Sequence, residues 1–190
     1  MSKRMVSIAA ICAVAASAVG GAIAVHRAHG SPLSTISTEG RRVTPSPGAK
    51  RAFRIDSLRL LTIRDGRAFY ALDTANGRCF GVGFADAIGD PGGEACPAGA
   101  PFPSASRPLL DFSVYEGAPG TDRDQLTIFR IEGFAADGVA AVGVMNRAQK
   151  IGLRVPVSDN VYVLSHVPPG LNGSVVPLGA DGAPLAPPSR

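Results

Sequence analysis

A serine hydrolase is the first activity to consider, because it needs only a hydroxyl nucleophile, an imidazole base and a carboxylate that orients the base. After residue 53 the chain contains one histidine, His166. A triad would therefore have to combine His166 with Asp159 and with a serine such as Ser165 or Ser174. Because no Gly-x-Ser-x-Gly motif is present, we predict instead that His166 is a half-exposed residue at the end of a strand.

The tripeptide Ser158-Asp159-Asn160 matches the Ser-Asp-Asn element of penicillin-recognising enzymes. Those enzymes also need Ser-x-x-Lys and Lys-Thr-Gly, and neither motif occurs in this chain. The tripeptide is therefore predicted to be a turn between two strands. The sequence favours a protein that is not an enzyme, and a hydrolase with an unrecognised site is the alternative.

Asp86, Asp90 and Glu94 lie in a glycine-rich stretch and could supply carboxylate oxygens to calcium. Calcium takes about six to eight oxygen ligands, so a loop that gathers carboxylates and carbonyls would suit it. The stretch lacks the regular Asp-x-Asp-x-Asp-Gly spacing of calcium loops. A calcium site is therefore left open, and no cofactor is predicted.

Two cysteines are predicted to form a structural disulfide. Cys12 lies in the apolar N-terminal run, which leaves Cys79 and Cys96 as an even pair. A bridge between them would enclose residues 80–95 and would contribute about 3 kcal/mol to stability. A redox-active pair usually has the Cys-x-x-Cys spacing, which this pair lacks, and no further zinc ligand lies nearby in the sequence. The bridge would hold the loop-like stretch 85–107 in place.

The N-terminal residues predict the compartment. Two cations precede an uncharged run from Met5 to Val25, as in a secretory signal or a single membrane anchor. Ala16-Ser17-Ala18 and Ala22-Ile23-Ala24 both fit a small-x-small cleavage site. Residues 1–25 are therefore predicted to be a signal peptide or a membrane anchor helix, with cleavage left open. The rest of the protein is predicted to be extracytoplasmic, either secreted or anchored to the cell membrane.

Charge is divided unevenly along the chain. Residues 26–54 have a net charge of +5 and residues 55–190 a net charge of −3. The acidic balance of the second part makes a nucleic-acid partner unexpected. Residues 26–52 are predicted to be a basic Pro/Ser-rich linker, in which residues 31–38 and 44–48 bury nothing and stay extended or disordered. Its arginines could also attract anionic lipid headgroups or wall polymers.

Turn residues in the first half predict a β-meander over residues 53–117. Asp65-Gly66 and Ala75-Asn76-Gly77 are typical of short hairpin turns. They separate the three predicted strands, Leu58–Arg64, Arg67–Asp73 and Arg78–Phe84.

Alternation in the third of these strands predicts which side chains are buried. Phe80, Val82 and Phe84 alternate with Gly81 and Gly83. Side chains at every second position share one face of a strand, so the three apolar residues are predicted to face the core. The glycines are predicted to let another backbone come close.

The second half also shows a series of short strands, and helix signals are nearly absent. The predicted strands are Leu109–Gly117, Leu126–Phe134, Gly138–Met145, Gly152–Val157, Val161–Val167 and Ser174–Leu178. Their spacing is typical of a β-sandwich. Residues 53–190 are therefore predicted to be all-β, with a disulfide-stapled meander over 53–117 and an immunoglobulin-like sandwich half over 118–190. The sequence leaves open whether the two parts form one domain.

Turn-rich stretches of the second half carry a resemblance. They are Ile131–Val139, Pro156–Tyr162, Val167–Gly170 and Asp181-Gly182. These stretches resemble the immunoglobulin-like or transthyretin-like modules of secreted bacterial proteins, including carboxypeptidase regulatory-like repeats. Val161 departs from that pattern, since glycine usually follows Asp-Asn there. The whole chain also resembles secreted actinobacterial proteins, and neither resemblance brings catalytic residues with it.

The predicted function is that of a non-enzymatic cell-envelope or secreted protein that acts as an interaction or structural module. Its partner would be an envelope protein or a cell-wall component, and its N-terminal segment would contact the membrane. A glycan-binding module is a further alternative, because sugars stack on exposed aromatic rings. Such a module would expose Tyr70 and Tyr115 on one face. The sequence leaves the oligomeric state open.

Overall fold

The computed structural model describes residues 32–96, 102–116 and 127–185, and its architecture is all-β, as predicted. In chain order, a short 3-10 turn at Pro32–Ser34 is followed by β1 (Arg41–Arg42), α1 (Pro47–Phe53), β2 (Ile55–Arg64), β3 (Arg67–Thr74), β4 (Gly77–Phe84), β5 (Pro91–Ala95), β6 (Leu109–Asp111), β7 (Val114–Glu116), β8 (Thr127–Ala135), β9 (Ala141–Asn146), β10 (Ile151–Pro156), β11 (Val161–Leu164) and β12 (Leu171–Leu178). The signal or anchor predicted at residues 1–25 lies outside the described residues. Within the described ranges, no helix is long and apolar enough to cross a membrane.

The predicted meander is confirmed as the centre of a five-stranded antiparallel sheet with the order β1-β2-β3-β4-β5. Its first hairpin turns at Asp65 and Gly66, whose φ angles are 48° and 73°. Two successive residues with positive φ match the right-handed twist of the flanking strands, which is why this dipeptide is common in hairpins. The second hairpin returns through Gly77, which has a φ of 109°.

The prediction for the inner face of β4 holds for two of its three residues. Phe80 and Val82 are buried, but Phe84 is 61% exposed. Phe84 is the last residue of β4 and pairs with Arg67, the first residue of β3, so it lies at the rim of the sheet. The Arg67 guanidinium lies 4.6 Å from the centre of the Phe84 ring. The prediction that Phe84 faces the core is therefore wrong.

Residues 85–107 contain a strand that the sequence did not predict. β5 pairs with β4, and its backbone comes so close that a Cβ added at Gly83 would collide with the carbonyl oxygen of Asp90. The expected role of the β4 glycines is thereby confirmed. The Cys79–Cys96 disulfide is also confirmed, with an S–S distance of 2.04 Å. It joins β4 to the chain directly after β5.

Of the predicted linker over residues 26–52, the structure describes residues 32–52, and these are folded onto the domain. Ser46 caps the N-terminus of α1, since its hydroxyl accepts a hydrogen bond from the Ala49 N–H at 3.0 Å. Ala49 is buried, and Leu33 and Ile36 pack against hydrophobic clusters of the domain. The expectation that residues 31–38 bury nothing is therefore wrong, because Leu33 and Ile36 are partly buried. These apolar residues attach the segment to the domain.

The remaining strands form two smaller sheets, one with the order β10-β9-β12 and one with the order β11-β8-β6, in which β7 also pairs with β8. β8 packs on the five-stranded sheet through a cluster of aromatic side chains, and Val161 of β11 belongs to the same cluster. Phe134 of β8 lies 5.4 Å from Phe69 of β3 and 5.0 Å from Phe80 of β4, measured between ring centres. The first and second halves of the chain therefore share a hydrophobic core.

Candidate functional site

The residues proposed for a hydrolase triad do not come together. His166 is exposed, and among the described residues no hydrogen bond joins it to Ser165, Ser174 or Asp159. The Ser165 hydroxyl instead donates a hydrogen bond to Asp65 at 3.0 Å. A nucleophile, a base and an orienting carboxylate must be in mutual hydrogen-bond reach. The described positions of these side chains therefore do not form a catalytic triad.

Ser158-Asp159-Asn160 forms the predicted turn. Asp159 and Asn160 have φ angles of 52° and 60°, and the backbone groups of Ser158 and Val161 are hydrogen-bonded to each other. The Asn160 side-chain amide donates to the Ala135 carbonyl at 3.1 Å. The prediction is confirmed, and these residues tie β11 to the end of β8.

The carboxylates proposed for calcium are not grouped. Asp86 and Asp90 are exposed, and Asp90 accepts a hydrogen bond from Ser46 at 3.3 Å. Glu94 lies apart from them, beside the disulfide. Among the described residues, one set of three potential metal ligands comes within 4.8 Å, namely Cys79, Glu94 and Cys96. Its two sulfur atoms are bonded to each other, so they are not free to bind a metal.

Two tyrosines lie in the core. Tyr70 and Tyr162 are fully buried, and the Tyr70 hydroxyl accepts a hydrogen bond from the Gly89 N–H at 3.3 Å. The side chain of Tyr115 lies outside what the structure describes. Tyr70 therefore does not show the exposure that a glycan-binding module would require.

A cleft of about 340 Å³ opens between the β4–β5 edge of the first sheet and the β7–β8 pair. No motif or pattern in the sequence predicted this cleft. Its lining combines an apolar wall with a charged base and a stretch of bare backbone. The apolar residues are Val82, Phe84, Phe112, Val114 and Phe129, the charged residues are Arg67, Arg130 and Glu132, and the bare backbone belongs to Gly92 and Gly93.

Glu132 is the centre of the charged base. It is fully buried, and its carboxylate accepts hydrogen bonds from Nε and Nη2 of Arg67 at 3.0 and 2.8 Å. Arg130 stands further off, with its Nη1 3.6 Å from Glu132 Oε2. The same Nη1 donates to the Asp65 carbonyl at 3.3 Å. Two guanidinium groups thus face one carboxylate, which leaves the base of the cleft with one positive charge in excess.

The wall of the cleft exposes an unusual share of the apolar surface. The described part of the chain has six large hydrophobic residues that are exposed, and three of them line the cleft. They are Phe84 at 61%, Phe129 at 44% and Val114 at 37%. Isolated exposed apolar residues are ordinary, whereas a group of them around one concavity indicates a binding surface.

The open side of the cleft depends on the absence of side chains at Gly92 and Gly93 of β5. A Cβ built at Gly93 would have no atom within 4 Å, so the space in front of this strand is empty. β5 is also the edge of its sheet. A side chain at position 93 would therefore narrow the entrance of the cleft.

The sequence contained weak signals for this site. Glu132 is an acid inside an otherwise apolar predicted strand, and Arg67 directly follows a hairpin turn. A charge in a predicted core strand must find a partner. Nothing local specifies that partner, because the two residues are 65 positions apart.

The fold and the cleft define an all-β protein with one disulfide and an apolar cleft over an arginine-rich base. No protein-family model, no curated protein and no solved structure matches the chain. The function is therefore inferred from the chemistry of the cleft alone.

Proposed function

We propose that this protein is an extracytoplasmic binding module, not an enzyme, whose cleft takes an apolar group that bears a carboxylate. The observation that carries the proposal is the excess positive charge of Arg67 and Arg130 over Glu132 beneath an exposed apolar wall. A purely apolar ligand would remove water from the guanidinium groups and offer them no acceptor in return. A purely polar ligand would leave the apolar wall of the cleft exposed to water.

Arg130 is the proposed anchor for the carboxylate. Arg67 is already committed to Glu132 through two of its nitrogens. A guanidinium has five N–H donors in a planar fork, and Arg130 uses Nη1 for the Asp65 carbonyl. Its remaining donors can form the paired hydrogen bonds that arginine makes with carboxylates.

The apolar body of the ligand would pack against Phe84 and Phe129. A volume of about 340 Å³ is at the small end of ligand sites, which span roughly 300 to 1,000 Å³. The cleft therefore suits a compact group, such as one aromatic ring or a short aliphatic chain.

The source of such a group would be an envelope protein or a cell-wall component. A disulfide is consistent with an oxidising compartment, and the N-terminal run predicts export. The proposal includes an immunoglobulin-like or transthyretin-like sandwich half over residues 118–190. In such folds, loops and sheet edges commonly form the binding surface.

Three probes with one apolar body test the proposal: phenylbutyrate, its uncharged amide, and phenylbutylamine. Binding is followed by the shifts of backbone amide signals in NMR titrations. We expect phenylbutyrate to bind most tightly and phenylbutylamine least tightly, with the shifts concentrated on β5 and β8. Equal affinities, or shifts far from the cleft, would overturn the proposal.

A pair of arginine variants separates the site from general charge. Arg130→Met should weaken phenylbutyrate binding about tenfold or more, since hydrogen bonds to charged groups contribute about 1.5–3 kcal/mol. Arg147→Met is the matched control, because Arg147 is exposed in the β9–β10 turn and should leave the affinity unchanged. If both variants weaken binding equally, the carboxylate is not held by Arg130.

A further inference from the structure

The two sulfur atoms of the disulfide belong to residues with very different access to solvent. Cys79 lies inside β4 and is 1% exposed. Cys96 follows β5 at the edge of the sheet and is an exposed residue. Thiol–disulfide exchange begins with attack of a thiolate on one sulfur, and access decides which sulfur is attacked. An external thiol would therefore attack at Cys96 and displace Cys79.

Glu94 lies beside the bond that would break. It shares a face of the chain with Cys96, two residues away, and one of its carboxylate oxygens comes within 4.8 Å of both sulfur atoms. Its Oε2 is buried and has no hydrogen-bond partner among the described residues. A buried polar atom without a partner is rare in folded proteins, and a catalytic or redox role is one of the explanations for it.

The surroundings of Glu94 favour its neutral form. Burial raises the pKa of the Glu94 carboxyl, and no charged group offsets this effect. The ionisable residues of the elements that pack against β5, apart from Cys79, are Lys50, Arg51, Arg67, Tyr70, Asp73 and Arg78.

These side chains either interact with groups other than Glu94 or are exposed to solvent. Arg67 pairs with Glu132, and Asp73 pairs with Arg78. Lys50 and Arg51 of α1 are exposed. The Glu94 carboxyl is therefore available as a proton donor next to the sulfur pair.

We propose that the Cys79–Cys96 bridge is an exchangeable disulfide that reacts with external thiols at Cys96, with Glu94 supplying the proton that Cys79 takes up. This site is separate from the cleft, and the proposal does not depend on ligand binding there. The co-reactant is a thiol, either a small molecule or a reduced cysteine pair of another protein.

A thiolate forms a bond to Cys96 Sγ, the Cys79–Cys96 bond breaks, and its electron pair stays on Cys79 Sγ. The Glu94 carboxyl gives its proton to that sulfur and becomes a carboxylate. A second thiol of the same reductant then attacks the mixed disulfide, which leaves Cys96 reduced and the reductant oxidised. In the reverse direction, the Glu94 carboxylate takes the proton back as Cys79 attacks.

The first test identifies the attacked sulfur in the wild-type protein. The native protein is exposed to glutathione, trapped with iodoacetamide, digested and analysed by mass spectrometry. We expect glutathione on Cys96 and the alkyl group on Cys79. Glutathione on Cys79 would overturn the proposal. Reduction that occurs only when the whole protein unfolds would overturn it as well, because the bridge would then be a structural staple.

The second test measures the role of Glu94. The rate of reduction by dithiothreitol is divided by the thiolate fraction of the reductant at each pH. In the wild type this corrected rate should be high at low pH and should fall as the pH rises through the pKa of Glu94. Glu94→Gln should lower the low-pH rate about a hundredfold, the lower end of what general acid catalysis contributes, and should remove the pH dependence.

Glutamine is neutral and equal in size to glutamate, which keeps the Glu94→Gln test independent of folding. Asp86→Asn provides the control. Asp86 is exposed on the turn before β5 and should leave both the rate and its pH dependence unchanged. If Glu94→Gln changes the rate by the same factor at every pH, Glu94 only affects packing. If it changes nothing, Glu94 has no part in the exchange.

Discussion

Glu132 illustrates how a single side chain can join two sheets. Its carboxylate is fully buried on β8, and its partner Arg67 lies on β3 of the other sheet, with a side chain that is 15% exposed. A buried ion pair adds little stability relative to a well-packed apolar pair, but removing one partner leaves an uncompensated charge. The pair therefore fixes the geometry of the cleft base.

Arg67→Met should lower the free energy of unfolding by about 3–5 kcal/mol, the usual effect of breaking a buried pair. Arg78→Met is the matched control, because Arg78 pairs with Asp73 at the same distance of 2.8 Å while its side chain is 50% exposed. Loss of an exposed pair should change stability by about 1 kcal/mol or less. Urea unfolding of the two variants measures both values, and equal losses would contradict the prediction.

Asp73 makes a prediction about pH. The Ser57 hydroxyl donates a hydrogen bond to its carboxylate at 2.6 Å. That bond and the Arg78 guanidinium hold the pKa of Asp73 below its ordinary value of 3.8. Because the folded pKa is lowered, this stabilisation is present above the ordinary value and is lost as the pH falls through the lowered pKa.

Ser57→Ala should raise the pKa of Asp73 towards its ordinary value, because the hydroxyl is the largest cause of the shift. NMR titration of the carboxyl carbon measures this change directly. The variant should also lose less stability than the wild type as the solution is acidified. An unchanged Asp73 titration would show that the nearby guanidinium groups of Arg78 and Arg59, and not the Ser57 hydroxyl, lower the pKa of Asp73.

At the scale of elements, the glycines of β4 and β5 have opposite roles. A Cβ at Gly83 would collide with the backbone of Asp90, whereas a Cβ at Gly93 would meet nothing within 4 Å. Gly83 therefore permits β5 to pair with β4, and Gly93 keeps the cleft open.

Gly83→Ala should destabilise the protein by about 1–3 kcal/mol, as expected when a methyl group is forced into a packed site. Gly93→Ala should leave stability within about 0.5 kcal/mol, as expected for a change in open space, but should weaken phenylbutyrate binding. Thermal unfolding and the NMR titration measure the two effects. Equal thermal shifts in both variants would mean that β5 is not held through Gly83.

At the scale of the whole molecule, the aromatic cluster around Phe134 determines whether the two halves of the chain unfold together. Phe134 contacts Phe69 and Phe80 of the first sheet and Phe112, which precedes β7. It is fully buried. Since these contacts cross between the halves, the described structure should unfold in one cooperative step.

Phe134→Ala should lower the free energy of unfolding by about 3–5 kcal/mol, because it leaves a cavity in the core. Phe129→Ala, on the same strand but 44% exposed, should change it by about 0.5 kcal/mol or less. NMR signals from both halves should disappear at the same denaturant concentration. Two separate transitions would show that residues 53–117 and 118–190 unfold independently.

The sequence by itself determined the all-β class, the meander and the disulfide. Asp65-Gly66 is sufficient for a hairpin because the positive φ angles that it adopts are a local property. Cys79 and Cys96 could be paired by elimination. The Ser158-Asp159-Asn160 turn was likewise predictable, because turn formation depends on neighbours in the chain.

Only the tertiary structure decided the position of β5, the folding of the N-terminal segment onto the domain, and the cleft. β5 has the sequence Pro-Gly-Gly-Glu-Ala, which has little intrinsic strand preference, and it becomes a strand because the β4 glycines admit its backbone. Phe84 alternates correctly for the core but lies at the rim of the sheet, where its side chain is 61% exposed. The charged base joins residues 65 positions apart. Such long-range pairing depends on how the sheets pack, and no local pattern in the sequence encodes it.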